Sequence, residues 1–108
     1  MKVEYTGRQT DVPARLRAFA ERKLKKLEKL VGRPLHAHVI LTVDRHRRIA
    51  EVSLHSPRHD MTATNSSPDM RVSLATVMDK LLRQAQRHVG KRQSKRKAGN
   101  QGLARSEA

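Results

Sequence analysis

Hydrophobic positions recur along this chain at two periods, two residues and between three and four, which are the side-chain periods of strands and helices. Residues 2–6 alternate, with Val3 and Tyr5 on one side, and predict a short strand. Gly7-Arg8-Gln9 turns the chain. Thr10 or Asp11 then caps a helix with Pro13 in its first turn; it runs to Val31 and is stopped by Gly32 and Pro34. Leu16, Phe19, Ala20, Leu24, Leu27, Leu30 and Val31 form its apolar face. Residues 35–43 alternate again with Ala37, Val39, Leu41 and Val43 inward, and Asp44-Arg45-His46-Arg47 is a polar turn. Residues 48–55 turn Ala50, Val52 and Leu54 inward, Ser56-Pro57 makes the next turn, and residues 60–65 supply a last strand through Met61 and Ala63. The helical period returns at residues 69–91, where Met70, Leu74, Val77, Met78, Leu81, Leu82, Ala85 and Val89 cover an arc of roughly 140° at about 100° per residue. Ser67 is a good N-cap for this second helix, Pro68 suits its first turn, and Asp69 favours the positive end of the dipole.

The element order β-α-β-β-β-α predicts an α+β fold. A β-α-β crossover is normally right-handed between parallel strands, and the three later strands form an antiparallel meander. Both helices have one apolar face to bury and a four-stranded sheet offers one, so the expected architecture is a two-layer sandwich with both helices on the same face. Residues 1–91 form the domain. Residues 92–108 lack apolar periodicity and read as a disordered basic tail.

Charge adds what periodicity does not. The net charge is +14, and the first 90 residues keep +9 of it, so the folded part is basic in its own right. Lys80, Arg83, Arg87 and Lys91 follow one another at steps of three, four and four, a continuous basic stripe beside the apolar face of the second helix. On the first helix Arg15, Arg22, Lys25, Lys26 and Lys29 crowd one flank, while Glu21 and Glu28 share the opposite flank with Arg17. On a helical wheel both basic flanks lie on the same rotational side of their apolar faces. Lys23 falls inside the apolar stripe, either as a snorkelling stem or as an ammonium held at a groove and aimed at a phosphate. Such a surface fits a polyanion, with nucleic acid ahead of a membrane surface.

Tyr5 and Phe19 are the chain's aromatic residues, so recognition should run through phosphates and shape and not through base stacking. There is no cysteine and no apolar run near the ~20 residues that span a bilayer, nor a signal-peptide core, as expected for a cytoplasmic protein. Residue patterns for catalysis are missing. His36 and His38 share a strand face without a third ligand, and His46, His55, His59 and His88 have no ligand spacing. No nucleophile accompanies His59-Asp60, Ser66 and Ser67 lie in no nucleophile elbow, and the five glycines form no phosphate loop. No enzyme, metal, cofactor or small-molecule substrate is expected.

One resemblance sharpens this. The strand 37–43, Ile49-Ala50-Glu51-Val52, Asp69-Met70, Asp79-Lys80-Leu81 and Arg83-Gln84 resemble, in this order and separation, the ribosome hibernation promoting factor and ribosome-associated inhibitor (sigma-54 modulation protein) family over roughly residues 1–91. The resemblance implies the same fold. It also implies binding to small-subunit ribosomal RNA in the channel of messenger and transfer RNA, with translation inhibited in stationary phase or stress. Its RNA-facing positions correspond to Lys23 and Lys26 in the first helix and to Lys80, Arg83, Arg87 and Lys91 in the second; the basic flank adds Arg22 and Lys29. Where the family commonly has Tyr after Asp-Met, this chain has Arg71. The short tail resembles a short form, which would need a separate ribosome modulation factor to pair ribosomes. Two further classes remain open, a general double-stranded RNA-binding module and a sigma-factor modulator; a structural protein of the ribosome is weaker.

Overall fold

The computed structural model describes residues 1–32, 35–57 and 60–96, and for residues 88–96 the backbone alone. Pro34, His59 and the basic tail over residues 97–108 lie outside the described residues. The elements are β1 (Lys2–Arg8), α1 (Ala14–Val31), β2 (His36–Asp44), β3 (Arg47–His55), β4 (Asp60–Ser67) and α2 (Met70–Arg96). The sheet order is β1-β2-β3-β4, with β1 parallel to β2 and the other neighbours antiparallel, as the element order predicted.

Register explains how one sheet face becomes the core. Val3, Ala37, Leu54 and Met61 stand in one cross-strand row and Tyr5, Val39, Val52 and Ala63 in the next. Large residues stand beside small ones, Leu54 beside Ala37 and Leu41 beside Ala50. Leu16, Ala20, Leu24, Leu27 and Val31 of α1 and Leu74, Val77, Met78, Leu81 and Ala85 of α2 are buried in the same cluster. Both helices therefore cover one face.

The helix boundaries differ from expectation. Neither Thr10 nor Asp11 caps α1. Pro13 is the N-cap, extended at ψ 149°, and its carbonyl accepts from the amides of Leu16 and Arg17 at 3.0 and 3.1 Å. The Thr10 hydroxyl instead donates to the Asp11 carbonyl. For α2 the cap is Asp69 and not Ser67. Asp69 Oδ1 accepts from the Arg71 amide at 2.9 Å, and the Asp69 carbonyl accepts from the Ser73 amide at 3.0 Å. Ser67 ends β4, and its Oγ accepts from the Asp69 amide. The buried Ser73 hydroxyl donates to the Arg48 carbonyl at 2.6 Å, tying α2 to β3. The second helix also continues past residue 91 to Arg96. Apolar periodicity marks only the part that packs, and Lys, Arg and Gln extend a helix without it.

Gly7 permits the turn after β1. A Cβ there would collide with the Thr10 carbonyl and touch Val12 Cγ2 at 3.4 Å. Gly7→Ala is expected to cost about 1–3 kcal/mol through this overlap. Urea denaturation would read it as a lower midpoint; an unchanged midpoint would show that the loop yields freely.

Candidate nucleic-acid interface

Burial of one face of α1 fixes where its charges go. With Leu16, Ala20, Leu24 and Leu27 against the sheet, Arg15, Arg22, Lys25, Lys26 and Lys29 are all exposed. The acidic flank is spent on the β1 side. The Tyr5 hydroxyl donates to Glu21 Oε2 at 2.8 Å, and the N-terminal amine lies 3.4 Å from Glu28 Oε2. Burial, then the bond to Glu21, pushes the Tyr5 phenol well above the usual tyrosine range. The outward basic flank is thus left without neutralising carboxylates.

Direction decides how the two basic flanks relate. Tyr5 meets Glu21 whereas Met1 meets Glu28, so α1 runs antiparallel to β1. Lys80 Nζ donates to the Thr64 carbonyl at 2.8 Å and Gln84 Nε2 to the Thr62 carbonyl at 3.2 Å, so α2 runs antiparallel to β4. β1 and β4 point the same way, because β1 is parallel to β2 and two antiparallel pairings follow. The helices therefore run in the same direction. Two flanks on the same rotational side of parallel helices cannot face each other: that of α1 turns toward α2, and that of α2 turns toward the β4 edge.

The two basic flanks therefore do not line one cleft between the helices. Lys80 lies at the edge strand, where its ammonium and the Gln84 amide satisfy carbonyls that would otherwise be open to pairing. Arg83 and Arg87 are exposed, and no ion pair engages either among the described residues. Lys91 is on the helix backbone, with its side chain outside the described residues. Arg22, Lys26 and Lys29 are exposed on α1, and Lys23 is half-buried on the flank that meets α2. Lys23 Nζ sits 5.6 Å from the centre of the Phe19 ring.

One residue of the groove belongs to neither basic stripe. Arg71, in the first turn of α2, puts its guanidinium 6.0 Å from the Phe19 ring centre, and Arg22 puts its own 5.7 Å from it. Nine residues separate Arg71 from Lys80, a half-turn of the wheel, so the helix side opposite the stripe faces α1. That spacing was the available signal. It needed the helix direction to be interpreted.

The open sheet face is of another character. His36 and His55 are cross-strand neighbours with ring centres 6.4 Å apart; His36 Nε2 lies 3.8 Å from Glu4 Oε2, and His55 Nδ1 lies 3.1 Å from Asp60 Oδ1. His38 Nε2 is 2.8 Å from Thr6 Oγ1. The pair His36 and His38 is thus divided between different partners. Among the described residues no group of three or more His, Cys, Asp or Glu is arranged to hold a metal.

Comparison with known proteins bears on the family and the fold. Residues 3–93 match the family described as sigma 54 modulation protein / S30EA ribosomal protein. A ribosome hibernation promoting factor of Azotobacter vinelandii is 33% identical over 88 residues, covering 82% of each chain. One of Salmonella typhimurium is 31% identical over 91 residues, 84% of this chain and 96% of its own. Among solved structures, the N-terminal domain of Thermus thermophilus Protein Y superposes with a TM-score of 0.75 at 22% identity, covering 82% of this chain and 99% of that one. A ribosomal subunit interface protein of Coxiella burnetii gives 0.69 at 24%, covering 82% and 97%. Both show the same fold.

Proposed function

Because the chain belongs to the sigma 54 modulation protein / S30EA ribosomal protein family, we propose that it is a ribosome hibernation factor acting by steric occlusion without catalysis. Its exposed helix layer binds small-subunit ribosomal RNA in the channel that messenger and transfer RNA use, and so inhibits translation in stationary phase or stress. The observation that carries this reading is the outward helix layer, where Arg22, Lys26, Lys29, Arg83 and Arg87 are exposed and without an ion-pair partner among the described residues. An array of uncompensated cations on a rigid layer suits a phosphate surface, since each phosphate neutralised releases a counterion. Lys23 adds a cation at the groove, Lys80 one at the β4 edge, and Lys91 one on the last turns of α2. The site of action is the cytoplasm. A separate ribosome modulation factor would pair the silenced ribosomes.

Sedimentation of stationary-phase lysate through sucrose tests this directly. The protein is expected with small subunits and whole ribosomes at low salt and released at high salt. If it stays at the top of the gradient at low salt, the hibernation reading falls; duplex RNA binding and a sigma-factor partner are then tested next.

A further inference from the structure

We propose that Arg22, Lys23 and Arg71, gathered around Phe19 where α1 meets the first turn of α2, form a single seat for a backbone phosphate of RNA. The three cationic groups lie 5.7, 5.6 and 6.0 Å from one ring centre. The inference rests on the RNA-binding reading above and adds to it a defined anion site that includes a residue outside the basic stripes.

Like charges around one ring repel one another, and their arrangement has two local supports. The ring face attracts cations, and the chain enforces the spacing: Arg22 and Lys23 are three and four residues after Phe19, hence on its side of α1. Neither support neutralises charge. None of the three is in an ion pair among the described residues. Asp69, two residues before Arg71, has its Oδ1 on the Arg71 amide at 2.9 Å, where it completes the helix cap; three cations thus stand against one carboxylate. A positive excess of this kind is a binding site for an anion. Two guanidiniums favour an oxyanion with several acceptor oxygens, which they can grip in pairs. The positive end of the α2 dipole acts in the same sense. Phe19 is a positioning residue here. With cations grouped around this half-buried ring, the ligand assigned to the seat is the phosphate and not the nucleobase.

The test is a titration of the full chain with inorganic pyrophosphate, followed by NMR of the arginine Nε–H groups and the phenylalanine ring. Arg22, Arg71 and Phe19 signals are expected to move together along one saturating curve, ahead of Arg83 and Arg87. Arg71→Gln should weaken that curve about tenfold, the value of one well-placed charged interaction, and Arg71→Lys should restore part of it. Shifts no larger at Arg71 than at Arg83, or an unchanged curve in Arg71→Gln, would overturn the seat.

Binding to purified small subunits separates this inference from the function it rests on. Arg71→Gln is expected to lower the slope of log affinity against log salt by about 0.7–0.9. Tight binding by the wild type with no change in Arg71→Gln rejects the seat and leaves the hibernation reading standing. Failure of the wild type itself to bind rejects the hibernation reading, and the pyrophosphate titration still decides the seat. Equal thermal midpoints of variant and wild type confirm that folding is not the cause.

Discussion

Reversing charge at both Arg83 and Arg87 is expected to weaken binding to small ribosomal subunits by about a hundredfold or more at low salt while leaving the fold intact. The two arginines stand one helical turn apart, exposed, on the side of α2 away from the core. Near 0.1 M salt, removing one cation from its phosphate lowers affinity roughly eightfold, because about 0.9 counterion is no longer released. Two such removals come to about sixtyfold, and repulsion from the introduced glutamates adds the rest. The salt slope should fall by about 1.5 in the same variant. Stability should change by no more than about 0.5 kcal/mol, because exposed charges contribute little to folding. Equilibrium binding at three salt concentrations, paired with a thermal melt, reads all of this. Undiminished binding would remove the α2 cations from the interface and leave α1 and the groove to carry it.

The largest expected effect on stability lies on the other face of α1. Leu24 is wholly buried between that helix and the sheet, and Leu24→Ala is expected to cost roughly 3–5 kcal/mol. Lost transfer free energy accounts for part of it, and the cavity that a close-packed core cannot fully close accounts for the remainder. A domain of this size is stable by only about 5–15 kcal/mol, so the variant loses at least about a fifth of its margin. Leu30, half-buried and nearly two turns further along the helix, supplies the control; its truncation should cost about 1 kcal/mol. Urea denaturation of both variants makes the comparison. Equal losses at the two sites would mean that α1 does not dock on the sheet through Leu24. Subunit binding by Leu24→Ala, measured where it remains folded, should match the wild type, since no basic side chain is touched.

These residues illustrate what is legible without coordinates. Burial at Leu24 and exposure at Arg83 both follow from a single rule: in a helix with one apolar face, residues three or four apart share their fate. Strand alternation does the same for Ala37, Val39 and Leu41 and for their partners in β3. The fold order, the covered sheet face and the outward position of Arg22, Lys26, Lys29, Arg83 and Arg87 were therefore readable from spacing. Caps are less legible. Ser67 and Thr10 are favoured cap residues, yet Asp69 and Pro13 occupy those positions. Several candidates stood within three residues of each start, and the choice depended on where β4 and the first loop ended.

Relations between elements were out of reach. On its own helix Arg71 reads as one more surface cation and Lys80 as the first of a stripe. Only the parallel run of α1 and α2 over one sheet turns the first into the groove beside Phe19 and the second onto the carbonyl of Thr64. Local periodicity is a property of consecutive residues, so the chain alone determined which side of each helix is apolar and which is charged. Which neighbour each charged side meets depends on the direction of two helices brought together by strand pairing between distant segments, and the tertiary structure alone decided that.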